Sequence, residues 1–159
     1  TMIRSDHGFT MLELVMVISI LGIIGVFAVP RLFDLATAAP REATKNELLA
    51  LRRGIAGDAN LASAGTYQMR GFLIDCGAAP AALGDLTVRP ASCPAWNAFL
   101  KTGWNGPYID ANVGNYTLDA WETAYTLDSG NRILVSNGPD RVKQTVGATC
   151  GGDDLCMLF

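Results

Sequence analysis

From Leu14 to Val29 the chain carries no charged side chain, and the apolar run holding this stretch opens at Phe9 and closes at Pro30. As a helix rising ~1.5 Å per residue, residues 9–29 reach about 30 Å, the thickness of a bilayer's hydrocarbon core. No other feature constrains the chain as strongly, because such a run has to be covered by lipid or by other helices. One carboxylate, Glu13, lies inside it near the start. An ionised side chain at mid-bilayer costs on the order of 2.5–3.5 kcal/mol, and less toward the interface. Glu13 therefore needs a partner, and no basic residue lies within reach on the same helix. That points to a partner on another molecule. Gly22 and Gly25 leave room for neighbouring helices to approach closely in lipid.

The run is preceded by a short polar leader that ends in Gly8 and is followed by Phe9-Thr10-Met11-Leu12-Glu13-Leu14. A secretory signal peptide would close with a small-residue cleavage site after the apolar region, whereas here the run meets Pro30-Arg31-Leu32-Phe33. Gly, Phe and Glu at this spacing against a long apolar helix resemble the N-terminus of type IV pilins and of the pseudopilins of type II secretion. The resemblance implies cleavage by a prepilin peptidase between Gly8 and Phe9 and methylation of the new α-amine on Phe9. It also makes Glu13 the fifth mature residue, which in that family pairs with the terminal amine of a neighbouring subunit during filament assembly. Pro30 falls where the family has a helix break that melts on assembly. A breaker at the membrane interface explains the same proline equally well.

Composition narrows the function further. The net charge of −3 survives removal of residues 1–8, since Arg4 and Asp6 leave together. Arg52-Arg53 is the one adjacent basic pair and reads as a solvated helix face, so nucleic acid is not an expected partner. The single histidine, His7, lies in the leader. A mature chain without histidine has no Ser-His-Asp or Cys-His machinery and no His-containing zinc site, and the chain reads as a non-enzyme. Four cysteines, Cys76, Cys93, Cys150 and Cys156, lack C-x-x-C spacing and fit disulfides in an oxidising compartment. Of the three possible connectivities, Cys76–Cys93 with Cys150–Cys156 closes two local Gly/Pro-rich loops. Arg31, Arg41 and Lys45 follow the span, which by the positive-inside rule would leave the C-terminal part in the cytoplasm. The cysteines and the resemblance place it in the periplasm instead, behind a single inner-membrane span.

Along the chain, residues 1–8 read as leader and 9–59 as an N-terminal helix, with 9–29 the membrane span and filament core. Within 41–59 the spacing predicts an amphipathic segment with Leu48, Leu51 and Ile55 on its apolar face. Pro40 interrupts between the two parts. Residues 60–159 read as a globular domain. Ala81–Leu86 and Pro94–Leu100 are each compatible with one helical turn. Thr123–Leu127 and Arg132–Ser136 read as strands around the loop Asp128-Ser129-Gly130-Asn131. The fold class is therefore α+β, a long hydrophobic helix followed by a small domain with an antiparallel hairpin or sheet, which is the pilin-like arrangement.

Further pieces resemble the major pseudopilin of type II secretion. They are Gly103–Tyr108, Asp119-Ala120-Trp121, Ser136-Asn137-Gly138-Pro139-Asp140 and a Gly-Gly-acidic tail at Gly151–Asp154. Glu122, Arg141 and the two tail cysteines depart from that pattern. The resemblance implies self-association into a filament, together with other pseudopilins and an inner-membrane assembly platform. It also implies a possible calcium site using Asp153, Asp154 and, if the tail folds back, Asp140; Cys150 and Cys156 bracket the same acids and offer a metal-free way to fix the loop. No other cofactor is expected. A type IV pilus subunit for adhesion or motility is the neighbouring reading. A membrane-anchored periplasmic binding module is the reading of another class, with Trp96, Trp104 and Trp121 as stacking platforms; core and turn packing explains these tryptophans better.

Overall fold

The computed structural model describes residues 10–63, 66–67, 69–112 and 114–159. It divides into two compact units, Thr1–Ala39 and Pro40–Phe159. Helix α1 spans Met11–Ala56. Its start is fixed locally, because the Thr10 hydroxyl accepts the Glu13 N–H at 3.2 Å, the N-terminal half of a Thr-x-x-Glu capping box. Helical backbone is assigned through both Pro30 and Pro40. Each proline forfeits one i→i−4 bond, and the turns on either side supply the remainder. The helix ends where the Gly57 N–H reaches Arg53 O at 2.8 Å, and Arg53 pairs with Asp58 at 3.2 Å.

In the first unit the described apolar side chains have nothing over them: Leu12 is 81% exposed and Val26 70%. Among the described residues no helix is long and apolar enough to cross a membrane. The described apolar stretch, Met11–Val26, covers roughly 24 Å at helical rise, and the expected span begins at Phe9, outside the described residues.

The second unit has its own core. Leu48, Leu51 and Ile55 of α1 are buried with Phe72, Leu83, Leu86, Tyr108, Tyr125, Leu134 and Leu155. Polar bonds fix the same helix against the sheet side: buried Thr44 accepts the Ala120 N–H at 3.2 Å, and the Tyr125 hydroxyl donates to Glu47 at 2.6 Å. Two short strands, β1 (Ala62–Ser63) and β2 (Thr66–Tyr67), pair antiparallel. Helix α2 (Phe72–Cys76) follows, and Leu83–Leu86 forms a single 3₁₀ turn. The main sheet is antiparallel and runs β3 (Thr126–Asp128), β4 (Ile133–Ser136), β5 (Leu155–Leu158) in that order. Thr126 lies opposite Val135, and Val135 opposite Cys156. All four residues of β4 are buried, as befits a central strand.

Three local results differ from the sequence reading. Strand β3 starts at Thr126 rather than Thr123, because Glu122 adopts φ 62° and Asp119 draws the Trp121 and Thr123 N–H groups onto its own carboxylate. Pro94–Leu100 is not helical: Ala95 bridges Trp104 and Asn97 bridges Thr102. The physical cause is Asn97, whose side chain takes the Phe99 and Leu100 N–H groups that a helix would have used. Helix α1 ends at Ala56 rather than at 59, because Gly57 turns the chain with φ 85° as its N–H closes on Arg53 O.

Two disulfides staple the unit, Cys76–Cys93 and Cys150–Cys156. Closing the 17-residue separation of the first contributes about 3 kcal/mol in the chain-entropy picture.

Candidate functional site

Two regions hold the residues singled out in the sequence. The first is the start of α1. Gly8 and Phe9 lie outside the described residues. Glu13 is exposed in the first turn of α1, and the ion pairs found among the described residues do not involve it. An acidic residue there complements the helix dipole. Around it Met11, Leu12, Leu14 and Val15 present a continuous apolar surface to the outside.

The second region is the loop between β4 and β5. The turn after β4 begins with Asn137 and Gly138. A side chain at Gly138, φ 68°, would lie 2.5 Å from Asp153 O, so the two segments touch backbone to backbone. At Gly152, φ 53°, a side chain would overlap the Gln144 amide. These close approaches explain why glycines stand beside the acids. Asp140 is used locally: its carboxylate accepts the Val142 N–H at 2.8 Å and Gln144 Nε2 at 2.6 Å. The Asp153 N–H donates to Gln144 Oε1 at 3.1 Å.

Asp154 is the buried acid of the loop, 5% exposed. Its Oδ2 accepts three bonds, from Gln144 N at 2.9 Å and from Thr145 N and Thr145 Oγ1 at 2.6 Å each. Its Oδ1 is buried with no donor among the described residues, and so is Asn137 Oδ1. Buried acceptors in this state are uncommon and ask for a partner. Both are hard oxygens of the kind calcium takes, as are the carbonyls that the glycines bring close. Among the described residues no three His, Cys, Asp or Glu side chains gather to hold a metal. Asp140 is engaged in its own turn, and the oxygens left without a donor are Asp154 Oδ1 and Asn137 Oδ1. Asn137, Gln144 and Thr145 were not legible as site residues. Asn137 stood in a recognisable turn, but a glutamine and a threonine ten and nine positions before Asp154 give no periodic signal.

Trp104 and Trp121 are structural. Trp104 donates to Asp85 O at 3.1 Å and stands edge-on to Tyr108, and both Trp104 and Trp121 pack against the core.

Comparison with known proteins agrees with the first region. Residues 3–29 match the prokaryotic N-terminal methylation motif. The chain thus has a type IV pilin-like N-terminus, of the kind that prepilin peptidase processes and that serves membrane-anchored filament subunits. No curated protein and no solved structure matches the chain.

Proposed function

We propose that this protein is a structural subunit of a helical filament, specifically a pseudopilin of type II protein secretion. The methylation motif over residues 3–29, opening an apolar helix, supports a type IV pilin-like filament subunit; the choice of a pseudopilin draws on the resemblance of Gly103–Tyr108, Asp119–Trp121, Ser136–Asp140 and Gly151–Asp154. In it residues 1–8 are the leader, 9–59 the N-terminal segment whose helix ends at Ala56, and 60–159 the periplasmic domain. The subunit waits in the inner membrane as a single-pass protein. After cleavage between Gly8 and Phe9 and methylation of Phe9, the platform extracts it into a filament of bundled α1 helices. Glu13 neutralises the terminal ammonium of its neighbour, and Pro30 is the point where the helix yields on packing. Self-association, prepilin peptidase, other pseudopilins and the assembly platform are its partners. Calcium, where bound, adds positive charge that satisfies the buried Asp154 and Asn137 oxygens and fixes the loop before β5.

Intact-mass analysis of the membrane-extracted protein tests the reading. The expected mass is that of a chain beginning at Phe9 plus one methyl group. A mature chain beginning beyond Ala28 would refute it. The second reading, a type IV pilus subunit, draws on the same motif and on the two tail cysteines that depart from the pseudopilin pattern. Electron microscopy separates the two, with short periplasmic filaments for the first and long surface filaments for the second.

A further inference from the structure

Within the second unit, the segment 94–104 forms a stem with an apolar tip. The stem is firmly held. Asn97 N donates to Thr102 O at 2.8 Å, Trp104 N to Pro94 O at 2.8 Å and Gly103 N to Asp75 O at 2.8 Å. Arg70, paired with buried Asp75 at 2.5 Å, also donates to Lys101 O at 3.0 Å. The Cys76–Cys93 bridge closes the base. On this stem Phe99 is 93% exposed and Leu100 63%. Their N–H groups share Asn97 Oδ1, and Lys101 holds φ 51°. A Phe and a Leu left in water forgo the burial that apolar side chains of this size ordinarily gain. A fixed stem that carries such a pair outward is built as an anchor for a hollow.

The same unit contains a hollow of the right character. A groove of about 670 Å³ runs beside α1, with Ala50, Leu61, Met69, Ile109 and Tyr116 among its walls. Glu47, Asp58 and Asp110 lie on it against one cation, Arg53. The groove is thus apolar with a net acidic lining, and the tip is apolar with exposed Lys101 beside it.

We infer that the Phe99–Leu100 tip of one copy seats in the α1–Tyr108–Ile109 groove of a second copy of this chain, with Lys101 facing the acidic lining. Knob and groove are different surfaces of one subunit, so the contact is heterologous; each copy that offers a tip leaves its own groove open for the next, which is how open helical assemblies grow. The inference rests on the filament reading and adds to it a contact outside the helical bundle.

The test places the photo-reactive p-benzoylphenylalanine at position 99 of the full chain and irradiates the membrane-embedded or filamentous protein. The expected product is a two-copy adduct whose linked peptides fall within 46–61 or 108–116. Adducts to lipid, adducts to another surface, or no inter-copy adduct would overturn the contact. In parallel, Phe99→Ala with Leu100→Ala, both exposed positions, should leave the melting temperature unchanged and lower filament yield by roughly tenfold or more, as loss of a hot-spot anchor does. Parental yield from this variant overturns the contact and leaves the filament reading standing. If the parent chain itself forms no filaments, the filament reading fails, and the photo-adduct alone supports or overturns the contact.

Discussion

The Tyr108 hydroxyl donates a 3.0 Å hydrogen bond to Asp75 Oδ2 while accepting the Asn105 N–H at 2.9 Å. Burial, with Asp75 as a further cause, pushes the phenol from its ordinary value up to about 12. Below pH 10 both folded and unfolded chains keep this proton. Between about 10 and about 12 the unfolded chain has lost it and the native one holds it, so stability should fall as pH rises through that window. Thermal melts from pH 8 to 12 measure the slope. Tyr108→Phe should lessen it without abolishing it, because burial and Glu47 push the Tyr125 phenol up as well, and should cost about 1–3 kcal/mol at neutral pH for leaving Asp75 Oδ2 without its donor.

Glu13→Ala separates insertion from assembly. Removing the carboxylate makes the start of α1 more apolar, so membrane recovery should hold or rise while filament yield collapses. A charge pair formed in a low-dielectric setting is stronger than in water, and its loss leaves the partner's ammonium uncompensated. Parental filament yield from the variant would remove Glu13 from assembly.

Calcium dependence follows from the unpartnered oxygens of Asp154 and Asn137. With the disulfides intact, the melting temperature should fall in EDTA and recover in millimolar calcium, since a ligand of the native state stabilises it by mass action. Asp153→Ala should abolish that response. Equal melting temperatures in both buffers would mean the loop stands without metal.

Leu48→Ala tests the packing of α1 in its own unit. Leu48 is 1% exposed among apolar neighbours, and truncation should cost about 2–5 kcal/mol. Chemical denaturation of the reduced-free, oxidised protein reads it directly.

Glu122 and Arg141 hold φ 62° and 61° with exposed side chains. Left-handed backbone costs a non-glycine residue about 1–2 kcal/mol, partly offset by the greater freedom glycine gains when unfolded. Glu122→Gly or Arg141→Gly should therefore stabilise by about 0.5–1 kcal/mol each, seen as a higher melting temperature.

The parts legible in the sequence are those where one residue class dominates locally. The apolar run and its lone acid stand out because nothing polar interrupts them, and the spacing of Leu48, Leu51 and Ile55 marks a face that is buried. The hairpin shows through its alternating strands and its Asp-Ser-Gly-Asn loop. What was hidden depends on long-range partners. Leu155–Leu158 becomes a strand because β4 offers it an edge, and nothing in five apolar residues after an acidic pair announces that. Helix α2 is one turn held by its surroundings, too short for periodicity. The 97–102 tip was misread because one asparagine side chain decides between a helical turn and a stem. In the tail, the acids were visible but the bonding of Asp154 to Gln144 and Thr145 was not.

The stem beneath Phe99 also sets a local hierarchy of opening rates. The Gly103 and Trp104 amides are bonded to backbone carbonyls beside the Cys76–Cys93 bridge, so they exchange with deuterated solvent only when the stem itself comes apart. The Phe99 and Leu100 amides are held by one exposed side chain and open with a rotation of Asn97. A few residues apart, slow and fast exchange should therefore meet: the tip is free to adjust its side chains on a fast timescale, while the scaffold that aims it stays put until the unit unfolds.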